Sequence, residues 1–244
     1  MRVVFSRKGF DSSAGGAPSP IILGQPFSLP IPAKDRSETT YADLDLGQVV
    51  EHMTKGRISG DSLCHNDPMF EGGRCYFGQT GPAQSHLQNQ KVGLGDVFLF
   101  FGLFGEFDGS ERHHRIYAYL EVESITYLDS NPVFHGPLRG LRHRHPHTLG
   151  NWNANNTLYS GKGNKARTSP DELKLSKAGE NLSMWKVPTW LKDAGLSFHG
   201  KKELWYGNHT LQTVGRGQEF VTDISNRPEA LRWLDSIIDL IEGT

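Results

Sequence analysis

The feature that most constrains the fold is the run VFLFFGLF at residues 97–104, followed after a turn region by the more alternating stretch RIYAYLEVESITYL at 115–128. The first run is too short to span a membrane and has the length of a strand. A continuously apolar strand is typically buried on both faces, whereas an alternating strand turns one face to the core. The two stretches therefore predict a hairpin whose first strand is central in a sheet.

The segment RPEALRWLDSIIDLI at residues 227–241 has helical periodicity. Its apolar stripe consists of Leu231, Leu234, Ile237, Ile238 and Ile241. This spacing places the apolar side chains on one face, so an amphipathic helix is predicted, with Asn226 as its cap and Pro228 in its first turn. A second helix is predicted at residues 41–53, while residues 60–90 and most of 129–181 are predicted to be long polar loops.

The fold class that these elements predict is α+β. We expect a β-rich single domain over residues 1–244, with a central antiparallel sheet or partial barrel, long polar loops and a C-terminal helix, because neither a repeat nor a linker divides the 244 residues. With only Cys64 and Cys75, no disulfide framework is implied. No secretory leader or membrane span is evident, so a cytoplasmic location is expected.

The formal net charge of −1 argues against a protein that coats DNA without specificity, because such binding requires a strongly basic face. Local clusters are the better guide to function. The first follows the strand predicted at residues 2–5 and contains Ser6, Arg7, Lys8, Asp11, Ser12 and Ser13. Cations, hydroxyls and the nearby Gly15-Gly16 can together hold a phosphate, although a solvated loop is the simpler alternative.

The second cluster lies in the polar segment at residues 60–90. His65 and Asp67 are two residues apart and can form a general base with its orienting carboxylate, or contribute to a divalent-metal site. No spaced zinc motif is present, so no metal ligand is assigned and folding is expected to need no metal. Gln79 and Gln84 are suited to the edge of a base, and His86 follows them.

Two further clusters occur in the second half of the chain. HRHPH at residues 143–147 is followed by several asparagines, among them Asn156, and by Tyr159, which together could hydrogen-bond and stack on a nucleobase. Asparagine is also common in turns, which is the alternative. Arg216, Gln218 and Glu219 precede a predicted strand, and could clamp a phosphate and move a proton or form only a surface ion pair.

Several longer segments are shared with a known family. They are VVFSRKGFDSSAGGAPSPI, HNDP, FGQTGPAQSHL, VGLGDVFLFFGLF, NTLY, LSFH and GRGQEF, in this order. The chain resembles, from Ser6 to about Val221, the bacterial and phage family called nucleotide modification associated domain, type three. The resemblance implies a context of modified DNA bases and supplies no catalytic residues. The central hairpin also resembles, over about thirty residues, the core of PUA-like domains of the ASCH and EVE type, which bind modified bases or RNA.

The leading hypothesis is an enzyme of nucleotide or DNA-base modification that carries out group transfer or hydrolysis. In it, Asp11, His65, Asp67 and Glu219 are the candidates for proton transfer. The nucleotide-binding candidates are Ser6, Arg7, Lys8, Ser12, Ser13, Gln79, Gln84, His86, Asn156, Tyr159, Arg216 and Gln218. The alternatives are a non-catalytic PUA-like reader of modified bases and, third, a metal-dependent nuclease. The expected partner is a nucleotide or DNA, together with other proteins of a modification pathway; no membrane is expected, and no cofactor is assigned.

Overall fold

The computed structural model describes residues 1–132, 138, 141–215 and 219–243. Its strands are β1 (Arg2–Arg7), β2 (Ser19–Ile22), β3 (Gln25–Pro26), β4 (Ile31–Pro32), β5 (Cys64–His65), β6 (Met69–Glu71), β7 (Arg74–Gln79), β8 (Val97–Glu106), β9 (His113–Tyr127), β10 (Thr157–Lys162), β11 (Met184–Lys186), β12 (Trp205–Tyr206), β13 (Thr210–Gln212) and β14 (Glu219–Asp223). Its helices are α1 (Gly47–Met53), α2 (Gly81–Asn89), α3 (Thr189–Ala194) and α4 (Pro228–Glu242).

The main sheet of the described chain has the strand order β14-β1-β8-β9-β10-β7-β6, and β2 and β3 extend it beside β8. Most neighbours are antiparallel, but β1 and β2 both run parallel to β8. The sheet curls into a half-barrel, which brings β7 near β14 although four strands separate them in this order. The fold is therefore α+β with a partial barrel, as the sequence predicts.

The predicted central hairpin is confirmed as β8 and β9, which pair from Val97↔Glu121 to Phe104↔His113. Successive side chains of β8 enter different cores. Leu99 packs in the cluster that also contains the buried residues of α4, whereas Phe98 packs in a second cluster on the opposite face of the sheet. This alternation explains why β8 is apolar at almost every position: both of its faces are covered.

The predicted C-terminal helix is confirmed as α4, which begins at Pro228 and buries Leu234, Ile237 and Ile241. Its N-cap is Arg227, without a side-chain cap hydrogen bond, so the predicted Asn226 cap is wrong. Of the predicted helix at residues 41–53, only α1 is an α-helix, preceded by a 3-10 turn at Ala42–Leu44. Among the described helices, none combines the length and the apolar character that a bilayer crossing requires.

The prediction of one long loop at residues 60–90 is wrong, because this segment contains β5, β6, β7 and α2. Gly72 and Gly73 both have positive φ and make the turn between β6 and β7. In β7 the side chains of Cys75 and Phe77 are buried, and the strand pairs with β10. β7 is a strand because it pairs with β10, which is distant in sequence. The six residues of β7 alone contain no pattern that indicates this pairing.

Candidate functional site

Three imidazole rings surround the carboxylate of Asp67. Its Oδ2 lies 3.7 Å from Nε2 of His65 and 3.6 Å from Nε2 of His147. Its Oδ1 lies 3.3 Å from Nε2 of His145 and accepts a hydrogen bond of 3.0 Å from the backbone N–H of Gly78. His65 ends β5, whereas the other two histidines lie at a short 3-10 turn before β10. The fold thus brings two distant segments together around one carboxylate.

Burial and hydrogen bonding act in opposite directions on these groups. Burial alone would raise the pKa of Asp67, but the imidazoles of His145, His65 and His147 next to the carboxylate hold that pKa well below its usual value. Burial lowers the pKa of His147 to about 3, although the Asp67 carboxylate opposes the shift. At neutral pH the cluster therefore contains a buried carboxylate anion next to a neutral imidazole.

The ring of His147 is held by its surroundings. Its Nδ1 lies 2.6 Å from Oδ1 of Asn156, and Nδ2 of Asn156 donates to the backbone oxygen of His147 at 2.9 Å. The indole of Trp152 stacks on the ring at 4.1 Å between centroids. On the side of β7 a glycine is required, because a Cβ at Gly78 would lie 2.2 Å from the imidazole. These contacts fix both the position and the tautomer of the ring.

The same cluster contains the group of possible metal ligands in the described chain. One ligand atom each from His65, Asp67 and His147 lies within 4.8 Å of the others. Sequence analysis leaves open a contribution of His65 and Asp67 to a divalent-metal site, but it assigns no metal ligand because none of the spaced motifs is present. The third residue, His147, lies in a turn that is remote in sequence from His65 and Asp67. Motif spacing does not detect a ligand set assembled from such distant segments.

A second buried carboxylate, that of Glu219, lies at the start of β14. Its Oε1 accepts hydrogen bonds from Oγ of Ser6 at 3.0 Å, Nζ of Lys8 at 3.0 Å and Nε2 of Gln79 at 2.8 Å. Its Oε2 is buried without a hydrogen-bond partner among the described residues. Ser6 is opposite Glu219 in the β1–β14 register, whereas Gln79 ends β7. The carboxylate therefore connects the two sides of the curled sheet.

The loop after β1 is organised by Asp11. Its Oδ1 accepts three hydrogen bonds of 2.7 Å, from the N–H and the hydroxyl of Ser13 and from the N–H of Ala14. Burial opposes ionisation, but these bonds and the charge of Arg7 lower the pKa of Asp11. Ser12 in the same loop is exposed. Asp11 thus holds the loop in place through one carboxylate oxygen.

Arg7 is a partly buried cation. Its guanidinium carbon lies 5.7 Å from the ring centroid of Phe101, and its Nε is buried without a hydrogen-bond partner in the described chain. Burial lowers the pKa of Arg7, while the charges of Asp11 and Glu219 oppose that shift. An arginine remains cationic under these conditions, so Arg7 can receive an anion.

Two adjoining cavities, which we call the channel, connect these groups. The first has a volume of about 660 Å³ and is lined by His65, Asp67, His147, Trp152, Lys8, Lys34 and Arg36, among others. The second has a volume of about 650 Å³ and is lined by His86, Phe198 and Glu219, among others. Both share Arg7, Asp11, Ser13, Gln79 and Thr80. Each cavity is within the size range of small-molecule sites.

A family model described as nucleotide modification associated domain 3 matches residues 2–223, which include every residue of the channel. The chain belongs to this family. The resemblance seen in the sequence is thereby confirmed, and the protein is associated with nucleotide or DNA modification. Comparison with curated proteins found no match, and neither did comparison with solved structures. Helix α4 follows the matched region and packs behind the sheet, away from the channel.

In this member of the family, nine of the sequence-predicted residues line the channel. They are Arg7, Lys8, Asp11, Ser13, His65, Asp67, Gln79, His86 and Glu219. The ring of His86 stacks on Phe198 at 4.3 Å, and its Nε2 lies 3.0 Å from Oγ of Ser197. Burial lowers the pKa of His86, against the charge of Glu219. The proton-transfer and phosphate candidates are thus brought near one another.

Other candidates lie elsewhere. Tyr159 and Gln84 are buried and bonded to each other, with the phenol donating to Oε1 at 3.1 Å. Asn156 is buried behind His147 and has both ends of its amide engaged, so it orients a histidine and does not face the channel. Ser6 is likewise buried behind Glu219. Ser12 is exposed and lines neither cavity, and the last two candidates, Arg216 and Gln218, lie outside the described residues.

The sequence did not single out several residues of the channel. They are Lys34, Arg36, Thr80 and Trp152. Sequence analysis also did not connect His145 and His147 with Asp67. The dense HRHPH run was a usable signal, but it pointed to a nucleobase wall. The guanidinium of Arg36 lies 4.5 Å from the Trp152 ring, a contact between distant segments for which the sequence contains no local signal.

Proposed function

We propose that the protein is an enzyme that performs group transfer or hydrolysis on a nucleotide, either free or within DNA, and that the nucleotide lies in the channel. The observation that carries this proposal is the convergence of the four proton-transfer candidates. Asp11, His65 and Asp67 line the first cavity, and Asp11 and Glu219 line the second. A binding module needs a surface for its ligand, whereas paired buried carboxylates and imidazoles are typical of a catalytic site.

The charges of the channel favour an anionic substrate. Arg7 and Lys34 line the first cavity, and neither forms an ion pair with another described residue. Lys8, in contrast, is paired with Glu219 at 3.0 Å. Arginine and lysine that lack a carboxylate partner at a cavity are suited to bind phosphate. We therefore assign the phosphate of the substrate to Arg7 and Lys34.

The second cavity favours an aromatic group. Phe198 is 48% exposed although it is stacked on His86, so part of its surface is available to a planar ligand. Base stacking on aromatic side chains contributes about 1–3 kcal/mol per base. Glu219 lines the same cavity and can accept a hydrogen bond from an exocyclic amino group through Oε2. This arrangement supports a base in the second cavity and the reacting group near Asp67.

The test is nucleoside mass spectrometry of DNA from cells with and without the gene, combined with assays of the purified protein on nucleotides and DNA. We expect a change in one modified nucleoside that depends on the gene. Asp67→Asn should reduce the product by about a hundredfold or more, because it removes the charge and basicity next to the reacting group and keeps the shape of the side chain. Asp235→Asn on the exposed side of α4 is the matched control and should retain full activity.

If the purified protein binds modified DNA and neither the cells nor the assays yield a changed nucleoside, the proposal is wrong and the protein is a reader. Fluorescence anisotropy with modified DNA measures the binding. In a reader, Glu219→Gln should change the affinity for the DNA, and no product should form with either protein. Lack of both binding and product would also contradict the placement of a nucleotide in the channel.

A further inference from the structure

We propose that His65, Asp67 and His147 bind one divalent transition-metal ion at the wall of the first cavity. One ligand atom of each residue lies within 4.8 Å of the others, and we assign Nε2 of the two histidines and Oδ2 of the carboxylate as the ligand atoms. The inference deepens the proposed function by naming a cofactor for the same channel, but metal binding can be measured whether or not that function is correct.

The distances agree with such an ion. Oδ2 of Asp67 lies 3.7 Å from Nε2 of His65 and 3.6 Å from Nε2 of His147. Two ligands that each lie about 2.0–2.2 Å from a zinc-type ion at a tetrahedral angle are about 3.4 Å apart. Movements of a few tenths of an ångström, which side chains make readily, would complete the coordination.

The tautomer of His147 is the strongest argument. Nδ2 of Asn156 donates to the backbone oxygen of His147, which leaves Oδ1 of the same amide to accept from Nδ1 of the ring. Nδ1 therefore carries the hydrogen, and Nε2 presents a lone pair. That lone pair faces the carboxylate of Asp67, so two acceptors lie 3.6 Å apart in a buried environment. A cation between them turns this repulsion into two bonds.

The two carboxylate oxygens of Asp67 also have different partners. Oδ1 accepts the backbone N–H of Gly78 and faces Nε2 of His145 at 3.3 Å. Nδ1 of His145 accepts the backbone N–H of His147 at 3.2 Å, which orients the His145 ring beside Oδ1 of Asp67. One oxygen is thus held by the protein, and Oδ2 is left for a metal. Partners that orient ligands in this manner are a regular feature of metal sites.

The ligand set indicates the class of ion. Two imidazoles and one carboxylate suit zinc, iron and related d-block ions, whereas magnesium and calcium prefer oxygen ligands throughout. Three protein ligands leave at least one coordination position, and all three residues line the first cavity. An ion with an open position facing a cavity is typical of a catalytic site, while structural zinc has four protein ligands.

The experiment is metal titration of the full chain after EDTA treatment and dialysis. Zn²⁺, Fe²⁺ (without oxygen), Mn²⁺ and Mg²⁺ are added separately, with bound metal measured by elemental analysis and affinity by calorimetry. We expect one equivalent of Zn²⁺ or Fe²⁺ per chain and much weaker binding of Mg²⁺. Co²⁺ in their place should give visible d–d bands that report imidazole ligation.

His65→Ala is the main variant, because His65 is partly exposed and its loss should leave the fold intact. It should weaken Zn²⁺ binding by about a hundredfold, and Asn156→Ala by about tenfold or more through the lost orientation of His147. His209→Ala, an exposed histidine remote from the cluster, is the matched control. Circular dichroism of each metal-free variant verifies folding.

The proposal is overturned if wild type binds no transition metal at micromolar concentration, or if His65→Ala binds as well as wild type. The first result would indicate that His65, Asp67 and His147 contact one another without an ion. If the protein takes up no metal but still binds a nucleotide, the metal proposal is wrong, whereas the proposed function is not contradicted.

Discussion

At the scale of single residues, two buried carboxylates each have one oxygen hydrogen-bonded to the protein and a second oxygen that accepts no such bond from a described residue. Oδ1 of Asp67 is bound by the fold, and Oδ2 faces His65 and His147. Oε1 of Glu219 accepts three hydrogen bonds, and Oε2 has no partner in the described chain. A carboxylate anchored through one oxygen keeps the other in a defined position, which is the preorganisation that binding and catalysis require.

Arg7 allows the phosphate assignment to be tested at this scale. It lines both cavities and forms no ion pair with the described residues, so its charge is available to a ligand. Charge-assisted hydrogen bonds contribute about 1.5–3 kcal/mol, so Arg7→Ala should weaken nucleotide binding about tenfold or more. The measurement is calorimetry with a nucleoside monophosphate at low salt. Arg232→Ala on α4 should bind as wild type, and equal affinity of both variants would exclude Arg7 from the phosphate site.

At the scale of elements, the curled sheet positions the site through its ends. Gln79 at the end of β7 donates to Glu219 at the start of β14 at 2.8 Å. The ammonium of Lys8, just after β1, lies 4.4 Å from the Phe77 ring of β7. The small sheet of β11, β13 and β12 is joined to β9, where Nε1 of Trp185 donates to Nδ1 of His114 at 3.2 Å. These contacts couple elements that are not neighbours in sequence.

The partly buried histidine His114, which accepts the hydrogen bond from Trp185, should make the stability of the fold depend on pH. Burial, assisted by the charge of Arg7, lowers the pKa of His114 to about 4. In the unfolded chain this histidine titrates near pH 6.5. As the pH falls from about 6.5 to about 4, the unfolded chain therefore gains a proton that the folded protein does not bind, and the free energy of unfolding decreases by up to about 1.4 kcal/mol per pH unit.

Urea denaturation at a series of pH values measures that slope. His114→Gln retains an acceptor for the Trp185 indole and removes the titrating group, so its stability should fall less steeply over this interval. Other buried histidines, including His147, contribute to the slope that remains. An unchanged slope in the variant would show that His114 does not supply this part of the dependence.

At the scale of the whole molecule, the sheet separates two large apolar clusters, one beneath α4 and one inside the half-barrel. Phe101 and Trp185 belong to the first, and Phe77 and Phe98 to the second. The Asp67 cluster lies at the wall of a cavity and belongs to neither. Folding should therefore depend on these cores and not on an ion.

Metal-free protein should accordingly keep its secondary structure and melt cooperatively. If the proposed ion binds only the folded state, its addition at a hundredfold excess over Kd stabilises by about 2.7 kcal/mol. For a chain of this length that corresponds to an increase in Tm of about 5–10 °C. Scanning calorimetry with and without EDTA measures it. A loss of the far-ultraviolet circular dichroism signal on EDTA treatment would show that the metal is needed for folding.

Part of the site was predictable because its signals are local. The Arg7–Ser13 loop follows a strand that is visible in the sequence, and its cations, hydroxyls and glycines are contiguous. His65 and Asp67 are close in the chain, so their pairing needed no knowledge of the fold. In contrast, Glu219 and Gln79 contact each other only because the sheet curls and brings β14 near β7.

The sequence by itself determined the β8–β9 hairpin and α4, because an unbroken apolar run and a 3.6-residue period describe burial within the element itself. Only the tertiary structure decided that β7 is a strand, that Asn156 orients His147, and that His145 and His147 meet Asp67. These facts depend on pairing between remote segments, whose free energy comes from contacts made after the chain has closed long loops. No window of neighbouring residues contains that information.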